Sequence, residues 1–168
     1  MNFFNSAQIH LALNHFPMIL SLTGFIILLV ARIYSNTTLT KTGFYILLTA
    51  AVVCLPAYFS GEGTERIVKN LAGVSKDLIE EHEEMGEKAF ILCIVTGMLS
   101  LIGILFYSKY AKLIHNIIVL VSVLSISVLA WTSHLGGQIR HQELRKDFIP
   151  SPEKNRGDIG IEEHEHHD

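Results

Sequence analysis

Four long stretches of this 168-residue chain lack charge altogether: residues 9–30, 42–61, 89–108 and 113–139 contain no Asp, Glu, Lys or Arg. Each reaches the ~20 residues needed to cross a ~30 Å hydrocarbon layer at ~1.5 Å per residue. A soluble domain can bury one such helix, but four in a chain this short leave too little polar sequence to cover them. Charged residues make up 17% of the chain, and the mean hydropathy is +0.38. The expected fold is therefore all-α: a four-span transmembrane helix bundle in contact with the lipid bilayer.

Other absences narrow the function. The only cysteines are Cys54 and Cys93, in separate apolar stretches, and neither CxxC nor CxxCH occurs. That argues against covalent c-type haem and a structural zinc cluster, and leaves both thiols as small buried apolar groups. No basic patch with interleaved aromatics is present, so nucleic acid is not an expected partner. No serine or cysteine nucleophile, phosphate-binding glycine loop or glycosidase-like acid pair stands out. Residues 1–8 carry no Lys or Arg and no small-residue cleavage site closes the first run, so that run is expected to be retained as a span. Pro56 falls near a span end, which gives no mid-span break of the kind transporters use.

The organisation follows from where charge returns. The first span is expected over about residues 7–33, a polar turn over 34–41, and the second span up to about Ser60. Residues 61–87 form a charged connection in which Ile67, Leu71, Val74 and Leu78 recur at helical spacing, predicting an amphipathic helical connection between spans two and three. Gly73 is expected to end one short helix and Ser75 to cap the next, which runs through 80–84 into the third span. Residues 108–112 are read as the next turn, and the fourth span is expected to end near Gly136 and Gly137. The four-helix domain thus covers 1–147, and 148–168 reads as a flexible, acidic, histidine-rich tail. His164, His166 and His167 belong to it and are expected to be solvated.

Four spans put both termini on one side. The short turns carry Arg32, Lys41, Lys109 and Lys112; the opposite side carries more basic residues, which by count places the termini in the cytoplasm. The first helix, with no basic residue before it and Arg32 after it, argues the reverse. We take the first helix as decisive, giving a multi-pass inner (plasma) membrane protein with its termini on the extracytoplasmic side.

Five of the nine histidines converge on that side: His10 and His15 open the first span, His82 precedes the third, and His134 and His141 close the fourth. Polar groups at membrane depth are costly and in bundles usually point inward to mark function. His134 and His141 share a helix face about 10 Å apart in depth, with Gln138 between them. His10, Asn14, Pro17, Ser21 and Gly24 form another stripe, while His15 sits about 140° round from His10. By depth, His15 pairs with His134 and His10 with His141. Glu62, Glu65, Glu83, Glu143, Arg66 and Arg140 flank the same end. His115, alone at the opposite end, reads as structural or interfacial.

HLALNHFP at 10–17, GEGTERIVKNLAGVSKDLIEEHEE at 61–84 and TSHLGGQIRHQELR at 132–145 together resemble a family of uncharacterised four-helix bacterial membrane proteins, over about residues 7–147. The matching positions are His10, Asn14, His15, Gly61, Glu62, His82, Glu83, His134, Gly136, Gly137, Arg140 and His141. Some relatives are joined to c-type cytochrome domains. The resemblance therefore implies a redox setting, a c-type cytochrome or other redox membrane subunit as partner, and a histidine face outside the cytoplasm. Gly63 stands where relatives often have proline, and is expected to loosen a turn there.

Three functional expectations stay open. The first is b-type haem for electron transfer, with His15 and His134 as the deeper axial pair. Arg66 or Arg140 would meet the propionates, with Gly136 and Gly137 making room for the ring edge. The second is a Zn, Cu or Fe ion on His10, His82 and His141 with Glu62 or Glu83. The third is an accessory subunit of a membrane complex whose histidines only hydrogen-bond. No feature assigns a reaction.

Overall fold

The computed structural model of the chain describes residues 5–71 and 74–145, so the tail expected over 148–168 and Gly73 lie outside the described residues. The described chain is all helical: α1 (Ser6–Leu13), α2 (Phe16–Ile33), α3 (Thr37–Val68), α4 (Lys76–Leu105) and α5 (Tyr107–Arg140), then a 3-10 turn at Gln142–Leu144. Four helical segments are long and apolar enough to cross a membrane, α1 and α2 together forming the first of them. α2 packs on α3 and α5, α4 packs on α3 and α5, and α1 lies against α3. The result is an up-and-down bundle in which every long neighbour is antiparallel.

Unlike a soluble bundle, it has a largely apolar exterior and several small hydroxyl side chains among its buried residues. Ser21, Thr40, Thr96, Ser100 and Ser122 are buried, while Leu11, Ile19, Ile33, Leu105 and Leu120 are exposed. Four of the buried hydroxyls donate to their own helix at i−4: Thr40 to Asn36 O, Thr96 to Leu92 O, Ser100 to Thr96 O and Ser122 to Ile118 O. Small and self-satisfied polar groups let helices approach, whereas lipid is as good a solvent for leucine as another helix is. The apolar core is correspondingly small: Leu28, Phe44, Leu47 and Ile118 near the α2–α3 turn, and Ala50, Ala51, Cys54 and Cys93 beyond them.

The helix starts follow the sequence. Asn5 and Gln8 form a capping box, Asn36 accepts from Leu39 N, and Ser75 accepts from Leu78 N, as expected for Ser75. The helix from Lys76 enters the third span without a break.

Four boundaries depart from expectation. The first span breaks at Asn14 and His15, because Pro17 has no N–H to give and its ring clashes with a helical carbonyl four residues back; Pro17 sits instead in the first turn of α2. α3 continues to Val68 past Gly61 and Gly63. Two glycines cost a helix only about 1 kcal/mol each, and the pairs Glu62–Arg66 and Glu65–Lys69 support the extension. Gly63 therefore loosens no turn: it is helical, and Ser6 of α1 lies where its Cβ would be. The turn expected at 108–112 falls at Phe106, since 108–112 holds no Gly, Pro or Asn to stop a helix. α5 runs past Gly136 and Gly137 to Arg140, and the Arg145 guanidinium donates to the carbonyls of Gln138 and Ile139 at its end.

Candidate functional site

Two histidines at one end of the bundle are held in the same way. α1 lays His10 against α3, and its Nδ1 lies 2.9 Å from the carbonyl oxygen of Ala57. α4 lays His82 against α5, and its Nδ1 lies 2.9 Å from the carbonyl oxygen of Thr132. A carbonyl only accepts, so in the neutral ring the proton is on Nδ1, and Nε2 keeps its lone pair.

The glycines explain how a side chain reaches a carbonyl already inside a helix. Gly61 is four residues after Ala57, and Gly136 four after Thr132. Residue i+4 lies directly over the carbonyl of residue i, so a side chain larger than a methyl there would stand in the approach path. A Cβ on Gly61 would meet the His10 ring at 3.5 Å, and one on Gly136 would meet His82 Cε1 at 3.0 Å. Both rings are half-buried. His10 and His82 are thus the two imidazoles at this end that a main-chain carbonyl of a neighbouring helix holds.

The other expected residues stand differently. His15 is exposed in the break before α2. His134 is exposed, accepts at Nε2 from the Gln138 side-chain amide at 2.8 Å, and tilts against Trp131 with ring centres 5.6 Å apart. His141 is exposed beyond the last turn of α5 with Glu143 Oε1 3.0 Å from its Nδ1. The Glu143 backbone N–H, then the His141 imidazole, hold the Glu143 carboxyl below the usual carboxylate range. Glu62 is exposed and paired with Arg66, Glu83 and Arg140 are exposed, and Gly137 faces Leu144 of the 3-10 turn. Among the described residues, no three of His, Cys, Asp and Glu gather in a way that would hold a metal ion. At the opposite end His115 is buried at 5% exposure, beside Phe44, in keeping with a structural part.

Sequence reasoning missed Ala57 and Thr132, because a backbone acceptor has no side-chain signature. The recoverable trace was a glycine four residues downstream of each. Asn14, on the stripe with His10, has its Oδ1 buried at this end without a hydrogen-bond partner among the described residues. Compared with known proteins, the chain matches no family, no curated protein and no solved structure.

Proposed function

We propose that this protein is a membrane electron-transfer component that binds b-type haem between His10 and His82, with the histidine end on the extracytoplasmic side of the plasma membrane. The observation that carries the reading is the shared pinning of both Nδ1 atoms to main-chain carbonyls. A hydrogen bond at Nδ1 fixes the tautomer, orients the ring and makes Nε2 a better ligand. Two protein ligands are enough for haem, whose macrocycle supplies the remaining nitrogens, whereas a bare Zn, Cu or Fe ion usually takes three or four protein groups. Haem would supply a one-electron iron couple. The chain's own part is to hold two imidazoles from separate helices, with Gly61 and Gly136 keeping side chains off their flanks, and to offer Arg66 and Arg140 at the same end for the propionates. His10 and His82 replace His15 and His134 in this reading, since the latter two are exposed. A c-type cytochrome or another redox subunit is the partner this chemistry calls for.

Purified full-length protein titrated with haem is expected to develop a Soret band. The band should be lost in His10→Ala and in His82→Ala, and kept in His15→Ala and His134→Ala. A Soret band that survives His82→Ala, or none in the unaltered protein, overturns the proposal. Elemental analysis of the same sample tests the metal-ion alternative, which requires stoichiometric Zn, Cu or Fe.

A second reading has an observation behind it. The same two hydrogen bonds tie α1 to α3 and α4 to α5, which is what an accessory structural subunit needs. It predicts that His82→Ala lowers stability by about 1 kcal/mol, with no chromophore in either form.

A further inference from the structure

Cys54 and Cys93 are far apart in sequence and adjacent in the fold. They are 5% and 1% exposed and share one buried cluster with Ala50 and Ala51. α3 and α4 run antiparallel and come close at Gly97, where an added Cβ would stand 2.3 Å from Ala51 Cβ. Cys93 lies four residues before Gly97, and Cys54 three residues after Ala51. In antiparallel helices those steps lead in the same direction by about one turn, so the two cysteines come level beside that contact.

A disulfide needs Cα atoms about 4.4–6.8 Å apart. Helix axes pack about 8–10 Å apart with Cα atoms about 2.3 Å off each axis, so residues that face each other across the contact have Cα atoms about 3.5–5.5 Å apart. Gly97 against Ala51 keeps the two helices close one turn from the thiols.

We propose that Cys54 and Cys93 are a redox-active dithiol that closes to a disulfide between α3 and α4 when oxidised by a lipid-soluble quinone. Two S–H bonds break and one S–S bond forms. The two electrons and two protons pass to the quinone, which becomes the quinol. The acceptor class follows from position: both thiols are buried in the apolar parts of α3 and α4, where a charged oxidant or glutathione has no path. The matching reagent is an apolar carrier of two electrons and two protons. The proposal does not rest on haem binding.

The test uses the full chain in liposomes under argon with a fully substituted benzoquinone, which oxidises thiols without adding to them. The protein is then denatured, its free thiols are blocked, and it is reduced and labelled with a maleimide-polyethylene glycol. The unaltered protein is expected to gain two labels on a monomeric chain. Cys54→Ser and Cys93→Ser are each expected to gain none. No gain in the unaltered protein overturns the proposal, as does a gain in either single variant or a disulfide that links two chains.

Discussion

In the half of the bundle that carries the α2–α3 turn, glycines are closed over by their neighbours. A Cβ on Gly43 would stand 2.7 Å from Leu28 Cδ2, one on Gly103 2.8 Å from Phe44, and one on Gly97 2.3 Å from Ala51 Cβ. In the histidine half the clearances open to 3.5 Å at Gly61 and 4.0 Å at Gly86. Gly63, pressed by Ser6, and Gly136, whose Cβ would stand 3.0 Å from His82 Cε1, are the exceptions there. One half spends its small residues on bringing helices together; the other spends them on leaving imidazoles room. The halves also differ in charge. Residues 31–41 and 106–112 contain Arg32, Lys41, Lys109 and Lys112 and no acid, while Glu62, Glu65, Asp77, Glu80, Glu81, Glu83, Glu84, Glu87 and Glu143 all lie at the histidine end.

Alanine at the glycines is the strongest way to break this comparison. Gly97→Ala should cost most, at about 3 kcal/mol, because Ala51 Cβ has no rotamer to move into and a helix must shift. Gly43→Ala should cost less, about 1–2 kcal/mol, through displacement of the fully buried Leu28. Gly86→Ala should instead stabilise by about 0.5–1 kcal/mol, since helix propensity improves where space is open. Reversible unfolding in mixed detergent micelles measures all three, and equal costs in the two halves would erase the distinction.

A sharper version compares the two pinned histidines with each other. At Gly136 the Cβ must push His82 by a few tenths of an ångström, while at Gly61 it makes ordinary contact with His10. Gly136→Ala is expected to lower haem affinity several-fold, and Gly61→Ala to leave it unchanged, as read by Soret titration. A loss confined to Gly61→Ala would contradict the geometry.

The smallest effect concerns pH at the acidic end. The Glu143 carboxyl titrates below its ordinary value in the folded chain because its own backbone N–H, and then His141, favour the charged form. Its contribution is therefore complete above the ordinary carboxylate range, and is lost as pH falls through the depressed value. The site is fully exposed, so the slope is shallow and screened by salt. Glu143→Gln should remove that part of the acid dependence, visible as a flatter unfolding midpoint between acid and neutral pH.

Much of the fold was legible along the chain. The charge-free runs gave the spans, Ser75 gave its cap, and the stripe through Pro17, Ser21 and Gly24 does face inward, all three being buried. The break at Pro17 was open to the same reasoning, and the stripe obscured it. The site was only half legible. Five histidines at one end follow from topology, but which of them turn inward depends on what each ring meets across the helix boundary. His10 and His82 meet a carbonyl left bare by a glycine; His134 meets its own helix neighbour Gln138.

By itself, then, the sequence determined that four helices span a bilayer and that imidazoles and acids gather at one end, because charge and hydropathy act on each segment alone. Only the tertiary structure decided that His10 meets Ala57, that His82 meets Thr132, and that Cys54 lies beside Cys93. Helical period fixes the face a residue occupies, but not its partner. That choice rests on the axial register between helices, which here is set by close contacts such as Gly97 on Ala51, too distant in sequence for any local pattern to encode.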